Sequence, residues 1–379
     1  MSAAIGDFLV VGIGGAATGF VARAAGAFPG ARMLAFDCDS ASAGTAAAAP
    51  DLRFVLLGEA RFDGRGAGGD AVKSRAAVQD DAAAVREAIA GARLAVVAVS
   101  LGGGFGSGAT PEILKIMRDS GVVTLCVAAK PFAFEGGDRD ATARRALPLI
   151  ESSAAAVAPV ALDDLFADAA QMPVSEAYAK ATETMSEVLT LFWRMAAKPG
   201  FVSLGVERIA QIVAASSGHA RIAVASGAGD SRASDAADAL LASRLPGPDA
   251  KSASYESAIV GVVAGEDLRL AELSTISEKL RDRVPPSCRF DFGVIVDETV
   301  SGRISIASIL FERGLPADAV PVSDTAAASK PHAGKKASKR DPLSAGPSGT
   351  RFKGTDGTIF NGQDLDIPTY LRRDIPLEK

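Results

Sequence analysis

The chain has 379 residues, of which 48% are hydrophobic and 22% charged, as in ordinary globular proteins. This length predicts about two domains rather than one. The net charge of −5 gives no basic excess for nucleic acid, and two histidines with three scattered cysteines argue against a metal site or a disulfide framework. No uncharged apolar run reaches the roughly 18 residues of a membrane span. We therefore expect a cytoplasmic protein that binds no nucleic acid and does not insert into a membrane.

Six short apolar runs in the first half of the chain indicate buried strands. They are continuous rather than alternating, which favours a parallel sheet covered on both faces. The predicted strands are Phe8–Ile13, Arg32–Asp37, Arg53–Leu57, Leu94–Leu101, Val122–Ala128 and Ala155–Val160. Helical patterns between them include Val72–Ala90, Thr110–Asp119 and Asp138–Glu151. This alternation predicts a doubly wound α/β domain over residues 1–173.

A long helical segment, Val174–Ala197, follows and is ended by the stop signals Lys198, Pro199 and Gly200. It predicts a central helix and loop over residues 174–200. A second set of elements comes after it. The predicted strands are Ile222–Val224, Ala258–Ala264, Arg289–Val296 and Ile304–Phe311, and the predicted helices are Ser234–Ser243 and Leu268–Arg283. We expect a smaller α/β domain over residues 201–314.

The composition changes after residue 314. From Pro321 to Phe360 the chain is rich in Ala, Ser, Gly, Pro and Lys and carries a net charge of +4, which predicts a disordered linker over residues 315–360. Apolar residues return in the last segment, residues 361–379. An apolar tip on a flexible tether predicts a docking peptide, and a frayed end without a role is the alternative.

The first glycine-rich turn, Gly12–Gly19, follows a predicted strand and opens a helix. Glycines at such a turn let a phosphate approach the N–H groups and the positive dipole of the helix N-terminus. The same turn also fits a dinucleotide fingerprint, with Gly12, Gly14 and Ala17 as its small positions and Asp37 as its ribose-binding acid. Taken alone, it leaves an NAD-dependent oxidoreductase as one alternative.

A second glycine-rich turn, Gly102–Gly108, follows the predicted strand Leu94–Leu101. It has five glycines in seven residues and one hydroxyl residue, Ser107. A dinucleotide-binding fold has no need of this second anion site. Two such turns on one sheet favour a polyphosphate that is held from both sides at the carboxyl ends of the strands.

The second turn, GGGFGSG, resembles the signature of the tubulin/FtsZ family. Four further segments, in order along the chain, resemble FtsZ motifs: Gly64–Gly68, Lys130–Gly136, Ala264–Leu270 and Leu365–Arg373. The resemblance covers nearly the whole chain, and its last segment favours FtsZ over tubulin. It implies a GTP-binding protein that stacks head to tail into filaments of the bacterial division ring, in the cytoplasm at the division site.

The resemblance also implies which residues bind GTP or GDP, with Mg²⁺ expected to accompany the nucleotide. The two turns would contribute Gly12, Gly14, Gly15, Ala16, Ala17, Thr18, Gly19, Gly104, Phe105, Gly106, Ser107 and Gly108. Glu135 would contact the ribose, and Arg139 would lie near the nucleotide. Tyr178 would stack on the guanine, while Thr182 and Glu183 would read its edge, since a carboxylate can accept two N–H donors.

The tail segment implies partners as well. Its resemblance to the FtsZ tail peptide implies docking onto membrane-tethering and regulatory division proteins. The residues expected to make these contacts are Leu365, Asp366, Ile367, Pro368, Tyr370, Leu371, Arg372 and Arg373.

Several positions depart from the family pattern. The first turn has Ala16 and Ala17 where FtsZ has glycine, Phe105 replaces the signature threonine, and Leu162 replaces a polar residue. These changes leave both glycine-rich turns in place.

The largest departure lies in the catalytic loop, Gly200–Ile209, which in FtsZ carries two acids into the nucleotide pocket of the next subunit. Here those acids fall on Gly205 and Arg208, so neither carboxylate is present. Glu207 could orient the attacking water, or Arg208 could stabilise charge on the γ-phosphate. The alternative is that both belong to an ordinary solvated helix start. We expect a slow GTPase, and the alternative is a catalytically inactive paralogue that acts as a scaffold or co-assembling subunit.

Overall fold

The computed structural model describes residues 7–165, 172–198, 200–216, 218–243, 255–297 and 300–312, with the backbone of 359–360 and 363–364. The chain divides into two units, Met1–Val320 and Pro321–Lys379. In the second unit, the described backbone is one antiparallel pair of short strands, Ile359–Phe360 and Gln363–Asp364. The predicted docking segment, Leu365–Arg373, lies outside the described residues.

A six-stranded parallel sheet forms the first half of the first unit. Its strands are β1 (Phe8–Ile13), β2 (Arg32–Asp37), β3 (Leu52–Leu56), β4 (Leu94–Ser100), β5 (Val123–Lys130) and β6 (Ala156–Ala161). Their order across the sheet is β3-β2-β1-β4-β5-β6. All six residues of β1 are buried, as expected for a strand covered on both faces. The six predicted strands are confirmed, with ends that differ by at most two residues.

Helices cover both faces of this sheet. They are α1 (Gly15–Ala24), α2 (Ala41–Ala47), α3 (Glu59–Phe62), α4 (Ala71–Asp80), α5 (Ala82–Ile89), α6 (Gly104–Asp119) and α7 (Gly137–Glu151). The apolar side of α1, with Phe20 and Val21, packs into the core on one face. The apolar side of α6, with Ile113 and Leu114, packs into the core on the other. The predicted doubly wound arrangement is confirmed.

Two helix predictions are wrong in their boundaries. The predicted helix Val72–Ala90 is two helices, because the chain turns at Asp81, whose carboxylate accepts a hydrogen bond from the Gly58 N–H at 2.6 Å. The predicted helix Thr110–Asp119 begins six residues earlier, at Gly104. Glycine has low helix propensity, so the sequence pattern did not reveal that the second glycine-rich turn is itself helical.

A single long helix, α8 (Val174–Ala197), follows the first sheet with the predicted ends. Its apolar side chains pack against the first sheet, where the rings of Phe192 and Phe8 lie 5.9 Å apart. Trp193 is buried edge-on against Phe28, also at 5.9 Å. On its other side, α8 packs against the second sheet.

The second sheet has five strands in the order β7-β10-β9-β11-β8. Its elements are β7 (Gly200–Val202), α9 (Gly205–Ala214), β8 (Ala220–Ala228), α10 (Arg232–Ala242), β9 (Tyr255–Ala264), α11 (Leu270–Arg281), β10 (Arg289–Val296) and β11 (Arg303–Glu312). Strands β9 and β10 are parallel, and the other pairs are antiparallel. Strand β7 was not predicted, because three residues are too few for a periodic pattern.

The contact between α8 and the second sheet generates a stability prediction. A Cβ on Gly261, in the middle of β9, would lie 2.1 Å from the Met195 sulfur. We expect Gly261→Ala to lower the free energy of unfolding by about 1–3 kcal/mol through overpacking, measured by urea denaturation. Gly26→Ala is the matched control, since a Cβ there meets no atom within 4 Å. Equal stabilities of the two variants would contradict the prediction.

Candidate functional site

The two glycine-rich turns, residues 12–19 and 102–108, meet at one edge of the first sheet. They follow β1 and β4, which are parallel neighbours, so both turns emerge at the same carboxyl edge. A Cβ placed on Gly14 would lie only 3.5 Å from the Cα of Gly106. The direction in which the chain adds strands reverses between β1 and β4, and α1 and α6 accordingly cover opposite faces of the sheet. Open α/β sheets bind ligands at this kind of crevice.

The first turn of α1 presents backbone N–H groups to this crevice. The Gly14 N–H donates a hydrogen bond to the Phe36 carbonyl at 2.9 Å and is therefore not free for a ligand. Thr18 is buried, and both its N–H and its hydroxyl donate to the Gly14 carbonyl, at 2.9 and 3.1 Å. Between them, residues 15–17 form the first helical turn, where N–H groups have no acceptor within the helix. These three donors are therefore the ones that suit an anion.

The first turn of α6 has the same form. Its N-cap is Gly103, so residues 104–106 carry N–H groups without an intrahelical acceptor. The buried Ser107 hydroxyl accepts a hydrogen bond from the Gly102 N–H at 2.9 Å and so fastens the turn. The Phe105 side chain is buried in the core beneath α6. An apolar residue is therefore accommodated at the signature threonine position while its backbone N–H remains in the first turn.

A third glycine-rich loop, residues 64–69, covers the start of α6. A Cβ on Gly104 would lie 2.7 Å from both the Asp70 nitrogen and the Gly69 carbonyl carbon, so only glycine permits this approach. The loop is tied to the segment after β2, because the N–H and hydroxyl of Ser40 both donate to the Gly64 carbonyl at 2.9 Å. The crevice is thus bordered by three backbone segments.

The segment after β5 brings Glu135 and Arg139 to the same edge. One carboxylate oxygen of Glu135 accepts from the Phe132 N–H at 2.9 Å, and the other pairs with the Arg139 guanidinium at 2.5 Å. Asp163, which follows β6, accepts from the Ala133 N–H at 2.8 Å and holds this turn in place. The adjoining Leu162, which replaces a polar residue of the family pattern, is buried in the core.

An aromatic group stands beside Glu135. Tyr178, in the second turn of α8, meets the rings of Phe132 and Phe134 edge-on at 5.2 and 6.1 Å. Burial, and then the negative charge of Glu135, raise the pKa of the Tyr178 phenol, which stays protonated at neutral pH. Tyr178 and Phe134 remain partly exposed and offer flat apolar surface to a planar base. The two phenylalanines were not among the predicted site residues, although their spacing in the segment after β5 was the available signal.

The remaining predicted base-reading residues lie one turn further along α8. Thr182 is the i+4 neighbour of Tyr178 and donates its hydroxyl to the Tyr178 carbonyl at 2.8 Å. Glu183 is exposed beside it. The Glu183 carboxylate therefore has room to accept hydrogen bonds from a ligand.

Asp37, at the end of β2, has a structural environment that the sequence did not reveal. Its carboxylate is 4% exposed and accepts from the Ser42 hydroxyl at 2.6 Å and the Cys38 N–H at 2.8 Å. A Cβ on Gly15 would lie 3.5 Å from this carboxylate, so Asp37 borders the first turn of α1. Because the group is buried and occupied, it is poorly placed to bind a ribose, which removes the support for the dinucleotide alternative.

The two candidate catalytic residues lie at the opposite edge of the first sheet. Glu207, in the first turn of α9, pairs with Arg93 at 2.8 Å, and Arg93 immediately precedes β4. Arg208 pairs with Asp291 of β10 at 2.6 Å. Since β4 has seven residues, about 20 Å of strand separates Arg93 from the second glycine-rich turn. Within one molecule, neither residue is near the crevice.

The fold and the paired turns define a nucleotide-binding α/β protein with a second, mixed sheet joined through a central helix. The model of the Tubulin/FtsZ family GTPase domain matches residues 10–168. The model of the FtsZ family C-terminal domain matches residues 218–312. The chain belongs to the tubulin/FtsZ family of GTPases, which includes filament-forming cytoskeletal proteins of cell division, and it is a divergent FtsZ-like member.

Individual relatives agree with this assignment. Cell division protein FtsZ 1 of Halobacterium salinarum is 30% identical over 295 residues, which span 78% of this chain and 73% of that protein. Cell division protein FtsZ 1 of Thermococcus kodakarensis is 28% identical over 79% of each chain. An FtsZ dimer structure from M. jannaschii matches at a TM-score of 0.74, with 24% identity over 81% of this chain and 88% of that one.

In the described ranges, no helix is both long enough and apolar enough to cross a membrane. Within the same residues, no group of three or more His, Cys, Asp or Glu side chains could hold a metal ion.

The buried carboxylate of Asp37 generates a pH prediction. Burial raises the pKa of Asp37 in the folded protein above the unfolded value of about 3.9. The contribution of this carboxyl group to the free energy of unfolding is therefore fully present below that pH and is lost as the pH rises through the folded pKa. Asp37→Asn has no group that titrates at this position, so it does not lose this contribution. We expect its free energy of unfolding to rise relative to the parent protein as the pH increases from about 4 to about 8. The exposed Asp51→Asn is the control, and parallel pH profiles for parent and Asp37→Asn would refute the prediction.

Proposed function

We propose that the protein binds GTP at the paired turns and polymerises head to tail into filaments of the bacterial division ring, with slow hydrolysis between subunits. It would do so in the cytoplasm at the division site. One observation carries the proposal: the anion-binding crevice and the catalytic loop lie at opposite edges of the same sheet. Such an arrangement can complete a site only between two molecules.

For the nucleotide, the chemistry of the crevice suits a polyphosphate. The N–H groups of residues 15–17 and 104–106, with the two helix dipoles, would take up its negative charge. Mg²⁺ prefers phosphate oxygens and water with few protein ligands, so it would arrive with the GTP. The guanine would lie on Tyr178, with Glu183 accepting its N–H donors. Glu135 and Arg139 would border the ribose.

For assembly, exposed apolar residues at the two edges support stacking. Phe134 and Tyr178 stand beside the crevice, and Phe201, 77% exposed, and Val202 stand within the catalytic loop. Contiguous exposed apolar surface marks protein contacts, and each of the two edges holds a neighbouring pair of exposed apolar side chains. A heterologous contact between two different ends of a molecule generates an open filament. A structure with the same fold, CetZ2 from Haloferax volcanii, is described as a GTPγS-bound protofilament, at 22% identity and a TM-score of 0.65.

For hydrolysis, the catalytic loop is short of carboxylates. The two positions that carry acids in FtsZ are Gly205 and Arg208 here, and Glu207 is the one acid in the first turn of α9. General-base assistance contributes about 10²–10⁴-fold, so its displacement or loss would slow water attack by a similar factor. A catalytically inactive subunit that acts as a scaffold or co-assembles with another FtsZ is the alternative function, favoured by the same two substitutions.

The tail motif, Leu365–Arg373, would dock onto membrane-tethering and regulatory division proteins. Its apolar side chains would serve as anchors, and its charged residues would make polar contacts. The tether of residues 315–360 would give it reach.

Nucleotide binding can be tested with two glycine variants of the second turn. A Cβ on Gly106 would lie 2.1 Å from the Ser100 carbonyl oxygen, so Gly106→Ala forces the first turn of α6 away from the sheet. We expect GTP affinity, measured by calorimetry, to fall at least about tenfold. A fall of this size corresponds to the loss of one or two charge-assisted hydrogen bonds. Gly103→Ala is the control, since a Cβ there meets nothing within 4 Å. Equal affinities for both variants would count against phosphate binding at this turn.

Assembly and hydrolysis can be tested together by pelleting and phosphate release with GTP and Mg²⁺. We expect polymer with slow release, and a further drop in release of at least about tenfold in Glu207→Gln with pelleting retained. Glu87→Gln is the control, because Glu87 also forms an exposed ion pair with an arginine, Arg53.

Mixing subunits tests whether the loop acts on a neighbour. Glu207→Gln keeps the paired turns, and Gly106→Ala keeps the catalytic loop. Phosphate release that recovers in the mixture supports action across the interface. Release that is as fast in Glu207→Gln as in the parent excludes Glu207, and absence of both polymer and release favours the scaffold function.

A further inference from the structure

A groove of about 480 Å³ runs along the outer side of the first sheet, away from the catalytic loop. It lies over the start of α6, between α4 on one side and α7 on the other. Its floor is formed by Ser107 and Gly108. A Cβ on Gly108 would lie 2.1 Å from the Ala71 carbonyl oxygen, so the floor carries no side chain at this position. The floor belongs to the second glycine-rich turn, whereas the two walls contain no residue of the predicted nucleotide site.

Both walls are helical stripes. From α7 the groove receives Thr142, Arg145, Ala146 and Leu149, which recur at positions i, i+3, i+4 and i+7 of one helix face. From α4 it receives Ala71, Val72 and Arg75. Two helices that each present one face to a shared channel leave the space into which a third helix packs.

Each wall carries one large, exposed apolar side chain. Val72 is 80% exposed and Leu149 is 43% exposed. Removing two such side chains from water stabilises a contact, because the hydrophobic effect scales with the apolar area buried. The groove therefore offers apolar anchors to a partner that can fill it.

The charge in the groove is positive. Arg75 has Glu112 at 3.5 Å, and Asp70 is engaged as the N-cap of α4 through the Lys73 N–H. In the described part of the chain, Arg145 has no carboxylate within ion-pair distance, and its contact is the Thr142 hydroxyl at 3.4 Å. The adjacent Arg144 differs, because it pairs with Asp140 at 2.7 Å.

Arg145 lies in a part of the chain that is acidic overall. The whole chain carries −5 and residues 321–379 carry +3, so residues 1–320 carry −8. A guanidinium left without an acid beside two exposed apolar side chains is complementary to an acidic, amphipathic surface.

We propose that this groove docks an acidic amphipathic helix of a partner protein. The apolar face of the helix packs between Val72 and Leu149, and a carboxylate of the helix pairs with Arg145. The concave shape fits one inserted segment better than a flat lipid surface. This docking site shares no residue with the tail peptide, and its walls share none with the predicted nucleotide site.

The test uses the full-length protein and two labelled model peptides of about 18 residues, or five helical turns. Both carry leucine at i, i+3, i+4 and i+7, and they differ in having glutamate or lysine at the flanking positions. Binding is measured by fluorescence anisotropy without nucleotide. We expect the glutamate peptide to bind the parent at least about tenfold more tightly than the lysine peptide does.

Charge reversal makes the test specific. Arg145→Glu is expected to weaken the glutamate peptide at least about tenfold and to strengthen the lysine peptide. Arg144→Glu is the matched control and leaves both affinities unchanged, since Arg144 does not line the groove. Leu149→Ser weakens both peptides.

Three results overturn the proposal. The first is the same effect from Arg144→Glu as from Arg145→Glu. The second is no binding of the glutamate peptide at millimolar concentration. The third is a change in self-association of Arg145→Glu, seen by sedimentation, with peptide affinity unaltered, which would assign the groove to contacts between copies of this chain. Far-ultraviolet circular dichroism of each variant establishes that it is folded.

Discussion

The parallel pairing of β1 with β4 is the constraint on which the site depends. It brings two turns that are about ninety residues apart in sequence to one edge of the sheet, with Gly14 against Gly106. Their helices cover opposite faces, so both N-termini point at one crevice without competing for space. Backbone N–H groups and helix dipoles then supply the affinity for an anion. This explains why Ala16, Ala17 and Phe105 are compatible with the site, since their N–H groups are unaffected by their side chains.

The same sheet separates the two halves of the proposed reaction. The crevice lies at its carboxyl edge, and the catalytic loop lies at its amino edge, where Glu207 meets Arg93. The central helix α8 fixes this separation, because it begins beside the crevice at Tyr178 and ends beside the loop. Tight contacts such as Met195 against Gly261 leave little freedom for the second sheet to shift along it. In the proposed function, a single molecule therefore presents one half of the site at each end.

Much of the fold could be predicted because its signals are local. Continuous apolar runs identified all six strands of the first sheet, and an uninterrupted helical pattern gave both ends of α8. The break at Asp81 and the start of α6 at Gly104 could not be predicted in this way. The first depends on a hydrogen bond from Gly58, and the second on packing beneath a loop more than thirty residues away in sequence. Long-range contacts overrode local propensity at both positions.

The sequence by itself determined the residue types: glycine at the two turns, an acid and an aromatic residue at the positions proposed to bind the base, and a proposed catalytic loop that lacks the two acids of FtsZ. Tertiary structure decided which groups are available. It buried Asp37 under Ser42, used the Thr18 hydroxyl within α1, and placed Phe132 and Phe134 around Tyr178. Among the described residues, it also left Arg145 without an acid partner in a groove between two helices. The physical reason is that residue identity sets what a side chain can donate or accept, whereas burial and neighbours distant in sequence set whether that capacity is already used.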